Sequence, residues 1–369
     1  MHKLIASRFL DRFLVLRPGQ THGMAVSEPR FDELQVAASE GAMAPSWLIE
    51  AARKSWAVEI GSAPLHETVL VRERSRFGFS RGSYELNLGC NYDCPFCYLG
   101  VKKFEGLDAE QRVRLLHIMR DAGVVWLQLT GGEPMIDPGF LDVYGLAYRL
   151  GMMITISTNG SRLWKPEILA AFAQMPPYRI TVSVYGATAE TYDETTRRRG
   201  SFKAFIRGLT AAHEAGLRLR LNIVVAKSNE HEVSEMEALA DSFNAPHHTF
   251  TNMSPTIYGG PETLPAQSER FRRQRKPFTG CNAGHTFFHA DPFGIASICK
   301  VGRDPSVNLM EEGLEGLSRL GPIADSLMLR TGGCSGCQIS GSCFTCRPLA
   351  KLYQEAKAPL HSYCQYGGR

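Results

Sequence analysis

Nowhere does the 369-residue chain run apolar for the ~18 residues that a membrane-spanning helix needs. A secretory signal is also missing, because Met1-His2-Lys3-Leu4-Ile5-Ala6-Ser7-Arg8 is broken by charge before an apolar stretch can form. Charge of one sign is scarce too. Forty-one Lys and Arg against 37 Asp and Glu leave a formal +4, without the concentrated basic face that nucleic acid demands. The densest basic run, Arg270 to Lys276 before Pro277, reads as a solvated linker, with contact to an acidic peptide as its functional alternative. These absences predict a cytoplasmic protein that engages neither membrane nor nucleic acid. A composition of 44% hydrophobic and 21% charged residues is that of ordinary globular domains, and the length allows two or three.

What the chain does have is ten cysteines. Without an export signal they do not suggest disulfides, and thiols clustered at short spacing are more often ligands of metals or clusters. Cys90, Cys94 and Cys97 stand at C-x3-C-x2-C spacing on a loop between an apolar strand and a helix. Zinc asks for a closed tetrahedral set, usually from paired C-x2-C units, and neither a His nor a fourth Cys lies near this triplet in sequence. A redox thiol pair is the other simple reading. A [4Fe–4S] cube held by three thiolates keeps one iron open for a substrate or cofactor to chelate.

Residues 1–75 have a pattern of their own. Phe13 to Leu16 reads as a strand, Pro18-Gly19 as a turn and Met24 to Val26 as a possible return strand. Ser27 and Ser46 are potential caps of two short helices, one with Phe31, Leu34 and Ala38 inward, the other with Trp47, Leu48, Ala51 and Ala52. From Tyr84 strands and helices alternate regularly, which predicts a parallel α/β architecture. Strands are expected over 84–87, 124–130, 153–157, 179–186, 219–225 and 249–253. Helices are expected over 108–122, with Val113, Leu115, Leu116 and Met119 on the apolar side, from Asp137 to Leu150, and around 233–243. Six such units make a partial (β/α)6 TIM-type barrel.

The triplet, with Phe96 before its last cysteine, resembles the signature of the radical S-adenosylmethionine (SAM) superfamily. Gly131-Gly132-Glu133-Pro134, one strand later, resembles that family's GGEP motif, and Thr158-Asn159-Gly160 its TNG turn. The resemblance implies a [4Fe–4S] cluster that binds SAM and cleaves it reductively to a 5′-deoxyadenosyl radical. It also implies cofactor contacts from Phe96, Tyr98, Gly131, Gly132, Glu133, Asn159, Ser183, Asn222 and Val225. Arg197, Arg198 and Arg199 are the candidates to pair with the SAM carboxylate. A catalytic acid or base is not legible.

The remaining seven cysteines, Cys281, Cys299, Cys334, Cys337, Cys343, Cys346 and Cys364, lie where regular patterning stops. Cys334, Cys337, Cys343 and Cys346 alone would equally suit a zinc ribbon. All seven together are similar to the SPASM extension, which carries two auxiliary iron–sulfur clusters. The family's order assigns Cys334, Cys337, Cys343 and Cys364 to one cluster and Cys281, Cys299 and Cys346 to the other. The second set is a ligand short, leaving His285, His289, Asp291 or another atom to complete it, or one iron open. Two residues separate Cys343 from Cys346 where the family usually has three. The expected organisation is a winged-helix-like segment at 1–75, a barrel at 76–255, a linker at 256–280 and a Cys-rich iron–sulfur domain at 281–369.

The start of the chain resembles the leader-recognition element of enzymes that modify ribosomally made peptides, with a packing extension as the alternative. A precursor peptide is thus the expected substrate, and a flavodoxin or ferredoxin the expected reductant. A small molecule or a protein active-site residue is the second possibility. Sulfatase maturases carry an acidic residue after the second SPASM cysteine, where this chain has Lys300, which disfavours that activity.

Overall fold

The computed structural model describes residues 2–273, 280–327 and 346–364. Strands β1 (Leu4–Phe9), β2 (Arg12–Leu16) and β3 (Gly23–Val26) form an antiparallel meander; β4 (Val69–Val71) joins β1 in parallel, giving the order β3-β2-β1-β4. Helices α1 (Glu28–Ser39) and α2 (Ser46–Trp56) follow the meander, and a single turn, α3 (Leu65–Thr68), leads into β4. Alternation along β1 divides its side chains between two cores. Leu4 and Ala6 pack with Phe31, Leu34, Leu48 and Ala52 of the helices. Ile5 packs with Leu16, Val125 and Met153, which belong partly to the barrel. Each large side chain so buried contributes about 1.5–3 kcal/mol.

The expected two strands are therefore four, since β1 and β4 escape the pattern reading. Ser27 does sit at the cap of α1, but Pro45 takes that position in α2 and Ser46 opens the helix.

Six parallel strands follow: β5 (Arg81–Glu85), β6 (Trp126–Thr130), β7 (Met153–Thr158), β8 (Arg179–Val184), β9 (Leu219–Val224) and β10 (His247–Phe250). Each pairs with the next. The helices between them are α4 (Ala109–Asp121), α5 (Phe140–Arg149), α6 (Pro166–Gln174), α7 (Ala189–Thr196), α8 (Ser201–Glu214) and α9 (Val233–Ser242). This is the strand–helix repeat of the expected partial barrel. Asp108 begins α4 with a capping box closed by Gln111. On that helix Ile118 is buried, whereas Val113, expected inside, is exposed. The helix expected from Asp137 starts only at Phe140, because the Asp137 carboxylate is held by Arg112 at 2.5 and 3.0 Å and by Asn87 at 2.9 Å.

Beyond Cys281 the sheet continues where the sequence reads as irregular. β11 (Phe287–Ala290) runs parallel on the other edge of β5, and β12 (Ile295–Ser297) and β13 (Val307–Asn308) add antiparallel strands. The nine-stranded order is β10-β9-β8-β7-β6-β5-β11-β12-β13. Helices α10 (Leu309–Glu312), α11 (Leu320–Ser326) and α12 (Arg347–Glu355) complete the described chain. β5, which leads into the cysteine loop, is thus flanked by β6 on one side and β11 on the other. Among the described residues no helix is long and apolar enough to cross a membrane.

Candidate functional site

In parallel α/β barrels, sites form where strands end at their C-terminal edge. Three such ends converge here. The loop after β5 carries Cys90, Cys94 and Cys97; the turn after β6 carries Gly131 to Pro134; Thr158, Asn159 and Gly160 lie at the end of β7. Backbone bonds hold the first two together, Gly132 N–H donating to Asn87 O and Glu133 N–H to Gly89 O, both at 2.9 Å.

The two glycines make that approach possible. A Cβ on Gly131, where φ is +139°, would lie 2.3 Å from Asn87 O, and one on Gly132 would lie 2.0 Å from Gly89 O. Their smallness serves the neighbouring cysteine loop rather than only a ligand, a role that the sequence does not reveal. Gly132→Ala is expected to cost about 1–3 kcal/mol, toward the upper end because a backbone carbonyl must shift. The expected result is a protein that melts several degrees lower and retains less iron after anaerobic reconstitution. Unchanged melting and iron content would show that the contact is dispensable.

Glu133 locks the third turn to the second. Its carboxylate is fully buried and accepts from Thr158 Oγ1 at 2.7 Å, Asn159 N at 2.6 Å and Met135 N at 3.1 Å. Burial pushes its carboxyl up to about 7, against the pull of those donors. These bonds order the loop, whereas the resemblance implies a cofactor contact for Glu133. Asn159 in turn donates to Asn91 Oδ1 at 2.9 Å and approaches Cys90 Sγ at 3.9 Å, so the TNG turn faces the cysteine loop.

Cys90 and Cys94 pack against the barrel core, and Cys97 against the small cluster of Leu88, Leu99 and Ile257. Burial pushes the Cys90 thiol up to about 11 and that of Cys94 higher still, so both are neutral until ligation removes their protons. Among the described residues, no three His, Cys, Asp or Glu side chains converge as ligands of a single ion would. A cuboidal cluster takes thiolates on separate irons and does not ask for that convergence. Phe96 of the same loop packs on Tyr185, ring centroids 5.5 Å apart.

Ser183 and Asn222 are direct cross-strand partners on β8 and β9, and the buried Asn222 Oδ1 has no hydrogen-bond partner. An orphaned buried acceptor on β9 suits a bound polar molecule. Val225 offers less than expected, because its N–H is already donated to Phe250 O at 2.8 Å. Arg197, Arg198 and Arg199 are exposed, and Arg197 lies 3.9 Å from Asp93, on the outside of the cysteine loop.

A buried polar group that the sequence does not disclose lies at the β5 end. Glu85 is fully buried, with Arg303 Nη2 at 2.8 and 3.0 Å from its two oxygens and the Tyr98 hydroxyl at 3.4 Å. Tyr98, expected at the cofactor, thus turns its hydroxyl to this carboxylate. His289 of β11 places Nε2 3.4 Å from Glu85 and Nδ1 2.8 Å from Ser83 Oγ. Burial works against the Glu85 carboxylate, but His289 and Arg303 hold it down to about 2. Burial also takes His289 down to about 4 and Lys300, 3.4 Å from Thr130 Oγ1, down to about 8.

Of the C-terminal cysteines, Cys299 Sγ accepts from Gly302 N at 3.1 Å and Cys281 Sγ from Ala283 N at 3.3 Å. Burial raises the Cys299 thiol, and neighbouring Cys281 adds to the rise. Cys346 stands at the cap of α12, and Cys364 is half-buried. Cys334, Cys337 and Cys343 lie outside the described residues. The three side chains considered to complete the Cys281 set are engaged elsewhere: His285 with Asp325 at 2.9 Å, His289 with Ser83, and Asp291 with the N–H groups of Phe293 and Ile295.

Residues 84–240 match the family model described as Radical SAM superfamily. Among curated proteins the chain is similar to the AdoMet-dependent heme synthase of Methanosarcina barkeri, 28% identical over 194 residues (51% of this chain, 55% of that one). It is also similar to the mycofactocin maturase MftC of Mycobacterium ulcerans, 27% identical over 242 residues (60% and 63%). The chain therefore spans little more than half the length of these relatives. Among solved structures, Streptococcus suis SuiB bound to S-adenosylmethionine superposes with a TM-score of 0.58 at 15% identity, covering 99% of both chains. At that identity the likeness is one of fold.

Proposed function

From the premise that this chain carries a radical SAM domain over residues 84–240, we propose that it is a peptide-modifying radical SAM enzyme, which abstracts hydrogen from a residue of a ribosomally made precursor and leads to a cross-link or oxidation. Bound at Cys90, Cys94 and Cys97, a [4Fe–4S] cluster with SAM would supply the 5′-deoxyadenosyl radical for that abstraction. The protein's own part is placement. Glu133 fixes the turns after β6 and β7 against the cysteine loop, Asn222 offers an unpaired acceptor, and Phe96 of the loop packs on Tyr185. Cys281, Cys299, Cys334, Cys337, Cys343, Cys346 and Cys364 are proposed to hold two auxiliary clusters, probed by iron and sulfide content, and a flavodoxin or ferredoxin to deliver electrons.

The observation that carries a peptide rather than a small substrate is the edge of the first sheet. Among the described residues β3 pairs only with β2, and Gly23 and Ala25 along it are exposed, leaving room for an added strand. SuiB, one of the solved structures with this fold, is described bound to precursor peptide SuiA. The test is hydrogen exchange on the full chain with and without the short precursor encoded nearest to it. Slowed exchange of the amides at 23–26 is the expected result, alongside a mass change in the peptide on incubation with SAM and dithionite. Unchanged exchange together with an unmodified peptide would turn the assignment toward a small-molecule substrate.

A further inference from the structure

The opposite end of the barrel holds a cavity of about 440 Å³ at the N-terminal ends of β8, β9 and β10. Arg179, Arg218, Arg220, His213, Phe243 and His247 line it. A strand of six residues at about 3.3 Å each puts this mouth roughly 20 Å from the cysteine loop, so it is no part of the site described above.

Three guanidiniums around one cavity need a reason. Helices α8 and α9 end here, and their last carbonyls amount to about −0.5 charge each, which offsets about one of the three. Among the described residues none of the three arginines has an ion-pair partner, and the nearby acid, Asp241, stands 3.7 Å from His247. Arg218 spends its fork on the carbonyls of Tyr178 at 3.0 Å and Gly19 at 2.9 Å. Among the described residues Arg179 and Arg220 make no such bonds; the buried Nε of Arg179 has no hydrogen-bond partner, and its guanidinium meets the Tyr178 ring, 6.0 Å from its centroid. Burial and the like charges of Arg220 and Arg218 together lower the Arg179 pKa. Roughly two positive charges thus remain unanswered in a concave space within the ~300–1,000 Å³ range of small-molecule sites.

We infer that this cavity binds a small phosphate-bearing anion, held by the free forks of Arg179 and Arg220. Guanidinium groups match carboxylate and phosphate oxygens two at a time, but only a phosphate has enough oxygens to meet both forks in this way at once; a chloride or a lone carboxylate does not. Phe243, whose ring meets that of His213 edge-on, offers an apolar wall for an attached nucleoside.

Calorimetry on the anaerobically reconstituted full chain, at fixed chloride and with excess SAM, tests the site with inorganic pyrophosphate and with ATP. Saturable binding of pyrophosphate is expected, weakened about 10- to 100-fold in Arg220→Gln, the loss of one charge-assisted pair. Binding of ATP alone, weakened in the same variant, would support the site and assign part of the affinity to the Phe243 wall. Arg220→Gln should melt no lower than the parent without ligand, because like-charge repulsion is relieved. No binding of either compound, binding unchanged in both Arg220→Gln and Arg179→Gln, or a lower melting point in Arg220→Gln would overturn the proposal.

Discussion

Replacing Cys94 by alanine is expected to abolish formation of 5′-deoxyadenosine while leaving the fold in place. The thiol packs against the barrel core, and losing one buried heavy atom costs on the order of 1 kcal/mol, which a barrel of this size tolerates. Ligation is a different matter, because Cys90 and Cys97 alone leave two corners of a cube without protein sulfur. Circular dichroism should therefore match the parent, whereas iron bound at the triplet and SAM cleavage should both vanish. Retained cleavage in Cys94→Ala would mean that the electron for SAM comes from a site elsewhere. The same change at Cys364 should spare uncoupled cleavage and impair turnover of the peptide.

The second large effect is expected at Arg303→Met. Glu85 and Arg303 are a buried pair, and removing the cation leaves a carboxylate in the core with His289 as its remaining basic neighbour; breaking a buried pair typically costs about 3–5 kcal/mol. The pH dependence distinguishes this cause from simple loss of packing. In the parent the Glu85 pKa is depressed to about 2, so its pairing contributes fully above the ordinary carboxylate range and fades only as pH falls toward 2. Without Arg303, His289 alone opposes burial, which raises the affinity of the Glu85–His289 pair for a proton. The variant's deficit in denaturant unfolding should accordingly be largest at pH 8 and shrink toward pH 6. A deficit under about 1 kcal/mol at every pH would place the pair among screened surface bridges instead.

Local motifs carried most of what could be read beforehand. The cysteine triplet, Gly131-Gly132-Glu133-Pro134 and Thr158-Asn159-Gly160 are each contiguous, so spacing alone discloses them, and the six parallel strands follow from their flanking helices. β1 is harder to see because both of its faces are covered. Leu4, Ile5 and Ala6 are all buried and leave no period-two signal. The Glu85–Arg303 pair joins residues 218 apart, across a strand that only β11 completes, and no local pattern encodes such a meeting. The glycines of the turn after β6 are legible as part of a motif, but not the atoms they make room for, the carbonyls of Asn87 and Gly89.

The most direct measurement is electron paramagnetic resonance of the anaerobically reconstituted, dithionite-reduced full chain, titrated with SAM. A Cys281→Ala/Cys364→Ala background reduces overlap from the C-terminal cysteines. The expected result is a [4Fe–4S]⁺ signal whose g-values shift as SAM is added and which disappears in Cys94→Ala. A signal indifferent to SAM, or no iron at Cys90, Cys94 and Cys97, would contradict an open corner at that loop.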